Sequence, residues 1–230
     1  DYIKKDFERH GLKPAFAASY FQAFPFIEKV ELSKNNKLFF EIEGKKSNLR
    51  LQKDYTTAPF SGKAKFSGEI VFAGYGISAP KLNYDDYENI NVSGKIVLVM
   101  RYHPEHDSSK SDFDRYASFR QKAITAQEKG AAAIIFVNGY SPKNDEDPLM
   151  ALHYDGASGI KDFPVLQIKR EEADKIFKSN GLNFADTQNK IDASKKPASF
   201  FFKNVNASGE TEAKEVEKLA RNVGAVLEGN

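Results

Sequence analysis

Two short stretches combine histidine with acidic residues and could therefore bind a metal ion. The first is His103-Pro104-Glu105-His106-Asp107, and zinc commonly uses imidazole and carboxylate ligands together. It lies in the polar connection between a predicted strand and a predicted helix, where Pro104 favours an extended backbone at His103. A solvated loop is the interpretation we favour, and a local metal site is the alternative.

The second stretch, His153-Tyr154-Asp155, has the spacing of a known zinc-binding pair in which one residue separates His from Asp. Such a pair should follow a buried strand, which would hold the ligands rigidly. Here it follows Asp145-Glu146-Asp147-Pro148 and precedes Gly156 and Gly159, a composition that is typical of a loop. We therefore favour a solvated loop here as well.

Asp85 and Asp86 are adjacent carboxylates, which could serve in acid–base catalysis. Adjacent side chains diverge in most backbone conformations, and Asn83 and Gly94 nearby indicate turns instead. The sequence contains no phosphate-binding loop and no Gly-x-Ser-x-Gly elbow. We therefore assign no catalytic residue and no metal ligand, and we leave the substrate-binding residues unassigned.

The clearest structural signal is a strand, a helix and a second strand in the middle of the chain. Consecutive apolar residues predict two short buried strands, at Lys95–Met100 and Ala131–Val137. Between them, Ser118 and Gln121 have the spacing of a capping box at a helix start, and Gly130 suits a helix end. This order predicts a right-handed crossover between two parallel strands.

Weaker patterns predict the other elements. In chain order these are a helix within residues 1–10, hairpin strands at Val30/Leu32 and Leu38/Phe40/Ile42 around Asn35-Asn36, a strand at Leu49/Leu51, a strand at Val165–Ile168, a helix with Ala173, Ile176 and Phe177 on one face, and a strand at Phe200–Phe202. Residues 139–162 read as a long polar loop, which in a compact domain is usually functional or disordered. The tail from Glu210 to Asn230 has mixed signals, and we expect strands there.

Composition argues against several classes of protein. The chain of 230 residues has 34 basic and 32 acidic residues, and this near-balance argues against a nucleic-acid partner. Its apolar runs are much shorter than the ~20 residues of a membrane span. Because cysteine is absent, there is no disulfide, no thiolate zinc site and no cysteine nucleophile. Asn91 and Asn206 begin glycosylation sequons, which matter only in a eukaryotic secretory host.

Several segments follow one another in an order that is more specific than any one of them. These are Gly74–Ile77, Tyr84–Tyr87, Val92–Val97, Ala126–Ala131 and Phe163–Ile168. Together they resemble the protease-associated (PA) domain of di-zinc aminopeptidases, the relatives of glutamate carboxypeptidase and the transferrin receptor. The resemblance implies a mixed α/β fold, a β-sandwich or open barrel with two flanking helices and the βαβ crossover predicted above.

Both ends of the chain resemble parts of the peptidase domain in that family. The matching segments are Tyr2-Ile3, Phe7, Gly11–Pro14 and Ser19–Gln22 for its opening helix, and Ala220–Gly229 for its first strand. The resemblance thus implies that residues 1–30 belong to the peptidase domain, that 31–210 form the PA-domain-like insert, and that 211–230 begin the missing peptidase domain. In the family, the zinc ligands and the catalytic glutamate follow that first strand. His153-Tyr154-Asp155 precedes it, so we transfer no catalytic position.

The resemblance leads to a specific expectation of function. The chain should be a non-catalytic PA-domain fragment of a zinc-dependent aminopeptidase, shaping substrate access or protein contacts. Two zinc ions are expected in the parent enzyme and none in this fragment. Expected partners are the missing peptidase domain and a peptide or protein substrate, in an extracytoplasmic location. The competing hypotheses are a stand-alone peptide- or protein-binding module that uses the 139–162 loop, and an enzyme whose metal site combines His103, His106 and His153.

Overall fold

The computed structural model describes residues 1–140 and 146–229, which form two compact units. One unit comprises the residues before Glu31 and after Lys214, and the other comprises the residues between them. The α-helices are α1 (Tyr2–Arg9), α2 (Phe119–Glu128), α3 (Arg170–Ser179) and α4 (Phe184–Ser194), and short 3₁₀ helices lie at Pro80–Leu82 and Asp114–Tyr116. The strands are β1 (Lys13–Pro14), β2 (Phe21–Leu32), β3 (Lys37–Ile42), β4 (Lys45–Asn48), β5 (Tyr55–Thr57), β6 (Ala64–Phe72), β7 (Ser78–Ala79), β8 (Tyr84–Asp85), β9 (Ile96–Met100), β10 (Ala133–Val137), β11 (Val165–Ile168), β12 (Phe200–Thr211), β13 (Ala213–Val223) and β14 (Ala225–Val226).

A curled eight-stranded sheet with the order β4-β3-β12-β6-β9-β10-β11-β5 forms the centre of the larger unit. Its middle strands β6, β9, β10 and β11 are parallel to one another, and its outer pairs are antiparallel. The predicted crossover is confirmed, because β9 and β10 pair in parallel and α2 connects them. The hydroxyl of Ser118 accepts the N–H of Gln121 at 3.1 Å, and Gly130 follows the helix with φ +83°.

The sheet is covered on both faces, which explains why its central strands are apolar at consecutive positions. Alternate residues of β9 belong to different hydrophobic clusters: Leu98 packs with α3 and α4, whereas Val97 packs with α2. Every residue of β9 and of β10 is buried. A strand buried on both faces cannot show the alternation of a half-exposed strand. The mixed α/β fold class predicted from the sequence, with its βαβ crossover, is confirmed.

Three details of the prediction are wrong. The predicted hairpin does not form, because β2 pairs with β13 while β3 lies between β4 and β12. Leu49 and Leu51 are not a strand: Leu49 is buried next to β4, and Leu51 makes an isolated bridge to Tyr55. The larger unit has three α-helices in its described residues instead of two, since α4 was not predicted.

The smaller unit contains α1, most of β2 and β13, and the short antiparallel pair β1–β14. The strands expected in the tail are confirmed by β13 and β14, and the helix expected near the start is confirmed by α1. No residue of α1 is buried. Lys218 of β13 is paired with Glu28 of β2. The assignment of these segments to a peptidase domain stays a prediction.

Candidate binding site

The carboxyl ends of the parallel strands bring several polar and aromatic residues to one edge of the sheet. Arg101 and Tyr102 follow β9, Asn138 and Gly139 follow β10, and Tyr75 follows β6 after a short turn. In open α/β sheets, ligands bind preferentially at this edge. Two pockets, with volumes of about 360 and 460 Å³, lie here and share Arg101 and Pro148 as lining residues.

The two pockets differ in chemistry. The smaller one, called the polar pocket, is lined by Tyr75, Arg101, Tyr102, His106, Asp107, Asn138, Gly139, Tyr140, Glu146, Pro148 and Gln188. The larger one, called the apolar pocket, is lined by Pro59, Phe60, Arg101, Ser118, Phe119, Arg120, Pro148, Leu149, Met150, Ala151, His153 and Asp155. Both volumes fall within the ~300–1,000 Å³ range of ligand pockets. The site is therefore a two-part groove, with Arg101 at the boundary.

The guanidinium of Arg101 is held by aromatic rings. Its central carbon lies 4.7 Å from the ring centroid of Tyr102 and 5.1 Å from that of Phe119. Among residues 1–140 and 146–229, no hydrogen bond or ion pair to this guanidinium is found. Stacking on a ring uses the face of the guanidinium and leaves its in-plane N–H groups available. Arg101 is thus a partly buried cation whose side-chain N–H donors are not used by any described residue.

A second cation, Lys122 of α2, fixes the backbone beneath Arg101. Its ammonium is buried and donates hydrogen bonds to the carbonyl oxygen of Met100, at 2.9 Å, and to that of Tyr102. These carbonyls lie on either side of Arg101 in sequence. Burial lowers the pKa of Lys122 to about 7, although the negative charge of Asp86 opposes this shift. Tyr102 adopts φ +69°, a conformation unusual for a non-glycine residue and enriched at functional sites.

Asp86 organises the turn that follows β6. Its carboxylate is buried and accepts N–H groups from Tyr75, at 3.1 Å, and Ile77, at 3.0 Å, together with the hydroxyl of Tyr84 at 3.0 Å. Desolvation raises the pKa of Asp86 to about 7, although these hydrogen bonds favour its ionised form. Gly74 is required here, because a Cβ at its position would lie 2.3 Å from an oxygen of Asp86.

The neighbouring carboxylate of Asp85 has other partners. It accepts the hydroxyl of Ser78 at 2.8 Å and the N–H of Tyr87 at 2.9 Å. Asp85 and Asp86 therefore do not converge on a common point, and both stabilise turns. This agrees with the interpretation from the sequence that the two residues belong to turns and do not form a catalytic pair.

The prediction of a solvated loop is wrong for His103. Its side chain is buried, with its Nε2 atom 3.0 Å from Asp114, and its Nδ1 atom accepts the N–H of Glu105 at 3.2 Å. The ring also stacks on Phe113, with centroids 6.0 Å apart. These contacts compensate for the water that the His103 ring loses when it is buried. Desolvation lowers the pKa of His103, although Asp114 acts in the opposite direction.

His106 is half-buried instead of fully solvated, and it belongs to the polar pocket. Its Nε2 atom lies 3.4 Å from an oxygen of Asp192 on α4. That hydrogen bond raises the pKa of His106, although desolvation opposes it. The other oxygen of Asp192 accepts the hydroxyl of Tyr75 at 2.6 Å. The sequence did not reveal this group, because α4 was not predicted.

His153 and Asp155 lie at the wall of the apolar pocket, where His153 is exposed as expected for a loop. The carboxylate of Asp155 receives two hydrogen bonds from Arg120, at 2.8 and 2.9 Å. Desolvation opposes its ionisation, but the bonds from Arg120 lower the pKa of Asp155 overall. The residues that the structure describes contain no group of three metal-ligating side chains. The described residues therefore do not fit a zinc site, and the proposed triad of histidines is not brought together.

The part of the predicted 139–162 loop that the structure describes contributes to both pockets. Residues 141–145, and with them Asp145 of the sequence pattern, lie outside the described residues. Residues 146–162 contain no helix or strand. They are fastened to the sheet by Gln167 of β11, whose side chain accepts the N–H of Met150 at 2.6 Å and donates to the carbonyl of Pro148 at 3.1 Å. Buried polar residues inside strands, such as Gln167, are the sequence signal that could have revealed this anchoring.

Comparison with known proteins identifies the fold family. The PA domain matches residues 55–176, which is more than half of the chain and includes the edge of the sheet described above. This chain belongs to the PA domain family. The resemblance predicted from the order of its segments is thereby confirmed. No curated protein matches the sequence.

Solved structures with a similar chain path have low sequence identity. They include an aminopeptidase from Aneurinibacillus sp. strain AM-1 (18% identity, TM-score 0.49, covering 97% of this chain and 40% of that one). BSAP, a zinc aminopeptidase from Bacillus subtilis, has 15% identity and a TM-score of 0.43, with coverage of 100% and 40%. The peptidase M28 precursor from Shewanella amazonensis SB2B has 15% identity and a TM-score of 0.38, with coverage of 95% and 42%. The PA-domain chain spans about two fifths of the length of these structures. Within its described residues, no helix is long and apolar enough to cross a membrane.

Proposed function

We propose that this chain is the non-catalytic PA-domain region of a zinc-dependent aminopeptidase and that its groove contacts peptide or protein substrates. The main evidence for a binding role is the two-part groove at the carboxyl edge of the sheet, with Arg101 between its two pockets. A concave site that combines apolar walls with a few fixed polar groups is typical of ligand binding. Apart from Gln188 of the polar pocket, the residues that line the groove lie within the part of the chain that matches the PA domain.

The titratable residues around the groove support a binding role over catalysis. Lys122 and Asp86 have strongly shifted pKa values, and such shifts often mark catalytic groups. Here, however, Lys122 donates to two backbone carbonyls, and Asp86 accepts two backbone N–H groups and a tyrosine hydroxyl. Both side chains are buried and are used to hold the ends of β6 and β9. They are positioned to stabilise the edge of the sheet.

The proposed parent enzyme rests on the order of sequence segments, including the two ends that resemble a peptidase domain. The two zinc ions belong to that parent and would polarise the scissile carbonyl and activate water. An extracytoplasmic location is part of the same proposal. Within this chain, the groove would contact the substrate and so affect which peptides reach the parent's active site.

Activity measurements test this proposal. The chain alone and a longer chain that continues into the downstream domain are offered aminoacyl substrates with added zinc. We expect turnover by the longer chain and none by the shorter one. Turnover by the shorter chain that persists after removal of contaminating peptidases would contradict the non-catalytic role. Substitution of Phe119 by Ala in the longer chain should raise KM for long peptides and leave KM for a small aminoacyl amide unchanged.

A stand-alone peptide- or protein-binding module is the second candidate, and the fastening of residues 146–162 by Gln167 favours it. A loop held by buried hydrogen bonds keeps a groove open without help from another domain. In that case the shorter chain should bind peptides as tightly as the longer chain does. A much weaker affinity of the shorter chain would favour the aminopeptidase proposal.

A further inference from the structure

Arg101 is a cation whose guanidinium lies against two aromatic rings. A partly buried charge without a counter-charge is unfavourable, and stacking on Tyr102 and Phe119 offsets part of that cost. In the residues that the structure describes, its guanidinium carries no hydrogen bond or ion pair. A bound anion would supply the counter-charge and the hydrogen-bond acceptors for this guanidinium.

The geometry around Arg101 suits a planar anion. Its in-plane N–H groups form a fork that matches the two oxygens of a carboxylate. Lys122 fixes the backbone on both sides of Arg101 through its hydrogen bonds to the carbonyl oxygens of Met100 and Tyr102. The backbone N–H of Arg101 donates a hydrogen bond to the carbonyl oxygen of Val137 at 2.8 Å. A donor group fixed in advance loses little freedom when it binds.

The charges on the two sides of Arg101 indicate where such an anion would lie. In the apolar pocket, Arg120 and Asp155 neutralise each other through a two-pronged ion pair. Among the described residues that line this pocket, Arg101 is then the arginine without an ion-pair partner. The lining of the polar pocket adds two acidic residues, Asp107 and Glu146, to Arg101, so its formal charge has no positive excess. A carboxylate is therefore favoured on the side of the apolar pocket.

The walls of the apolar pocket suit a bulky hydrocarbon group. Phe60, Phe119, Leu149 and Met150 line it, and methionine adapts its shape to different side chains. A volume of about 460 Å³ accommodates an aromatic or branched aliphatic side chain with its neighbouring backbone. The site thus combines an apolar cavity with one carboxylate-binding cation at its rim.

We propose that the apolar pocket binds the C-terminal residue of a peptide, with an apolar side chain inside the pocket and the α-carboxylate on Arg101. The adjoining polar pocket would receive the preceding residues, because the two pockets share Arg101 and Pro148. This inference rests on the proposed function, in which the groove contacts peptides. A peptide held by its C-terminus keeps its N-terminus free, and that is the end from which an aminopeptidase removes residues.

Peptide binding to the isolated chain tests the inference. The probe is an N-acetylated tetrapeptide that ends in Phe, prepared as the free acid and as the C-terminal amide, and its Kd is measured by calorimetry. A charge-assisted hydrogen bond contributes about 1.5–3 kcal/mol, so the acid should bind roughly ten- to hundredfold more tightly than the amide. Arg101→Gln should remove this preference. Arg115→Gln, which changes an exposed arginine elsewhere in the unit, should retain it.

The outcomes separate this inference from the proposed function. Equal binding of acid and amide to the unsubstituted chain would overturn the C-terminal site while leaving peptide binding by the groove intact. Absence of binding by either peptide would overturn both. Decanoate serves as an additional probe with the same carboxylate and no peptide backbone. If decanoate binds in an Arg101-dependent way and the peptide acid does not, a peptide is the wrong occupant. Because the acid–amide comparison uses the unsubstituted chain, it stands even if Arg101→Gln fails to fold.

Discussion

Lys122 is tolerated inside a hydrophobic core because its ammonium donates hydrogen bonds to two backbone carbonyl oxygens at the end of β9. Without it, the carbonyl oxygens of Met100 and Tyr102 would lose the donor that satisfies them. An unsatisfied buried polar group costs about 1–3 kcal/mol. At the scale of single residues, the shape of the groove thus depends on a side chain that lines neither pocket.

Lys122→Met is expected to lower the free energy of unfolding by about 2–5 kcal/mol, because it fills the space and leaves the two carbonyls without a donor. Lys129→Met is the matched control, since the ammonium of Lys129 is more exposed and makes a 3.5 Å ion pair with Asp85 and a distant contact, of 5.8 Å, with the ring centroid of Tyr87. The control should change stability by less than about 1 kcal/mol. Urea denaturation measures both. Equal shifts for the two variants would show that the hydrogen bonds of Lys122 do not stabilise the fold.

His106 should make stability depend on pH. Its hydrogen bond to Asp192 raises the folded-state pKa of His106 above the ordinary value of 6.5, although desolvation opposes the shift. The folded state therefore favours the protonated ring, so this stabilisation is fully present below pH 6.5 and is lost as pH rises through the raised value. His106→Gln should destabilise the protein by less than about 1 kcal/mol at pH 5.5 and have little effect at pH 8.5.

Urea denaturation of His106→Gln at both pH values checks this prediction. His153→Gln is the control, because His153 is exposed and makes no hydrogen bond or ion pair within the described parts of the chain. Its effect should be the same at both pH values. A larger effect of His106→Gln at pH 8.5 than at pH 5.5 would contradict the proposed direction of the shift.

At the scale of elements, local patterns were predicted and long-range pairings were not. The β9–α2–β10 crossover follows from contiguous apolar runs and a capping box, all within a short stretch of sequence. The partner of β2 is β13, near the other end of the chain, so a local hairpin rule assigned the wrong neighbour. The buried face of α4 includes Gln188, and this polar residue weakens the apolar periodicity that would have revealed the helix.

In the candidate site, too, local features were predicted from the sequence and long-range contacts were not. The sequence identified the polar connections at both ends of the crossover, but it did not single out Arg101. The feature that matters there is that the guanidinium lies between two pockets and has no carboxylate partner among the described residues. Such an arrangement depends on elements distant in sequence. His103 was predicted to be solvated because its partners Phe113 and Asp114 are defined by tertiary packing.

Ile135→Ala tests the central strand. Ile135 is fully buried in β10, where it pairs with Leu98 on one side and Leu166 on the other. Loss of buried methyl groups and the remaining cavity should lower the free energy of unfolding by roughly 2–5 kcal/mol. Leu182→Ala, at a substantially exposed position of the same unit, should cost about 0.5 kcal/mol or less. If chemical denaturation gives similar values for both, Ile135 does not pack as described.

At the scale of the whole molecule, the two units differ in how much core they have. The larger unit has extensive hydrophobic clusters on both faces of its sheet. In the smaller unit, α1 has no buried residue, and Phe24, Phe26 and Leu219 expose much of their surface. A two-stranded ribbon such as β2–β13 is marginally stable by itself. Under the proposed function, these segments gain their stability from the downstream peptidase domain.

Hydrogen exchange tests this difference. Amides of β9 and β10 are buried in the central sheet and should exchange only on global unfolding, which typically requires about 5–15 kcal/mol. Amides of β2 and β13 open locally and should exchange orders of magnitude faster in the isolated chain. In the longer chain that includes the downstream domain, the same amides should become slow, while those of β9 and β10 remain unchanged.

Self-association is the alternative source of protection for β2 and β13, because exposed apolar residues on a ribbon can pack against a second copy. Exchange is therefore measured over a hundredfold range of protein concentration. If the protection of β2 and β13 in the isolated chain falls on dilution, a second copy covers them in place of the peptidase domain. If they are as protected as β9 at every concentration, the smaller unit is stable by itself, and its proposed dependence on a downstream domain is wrong.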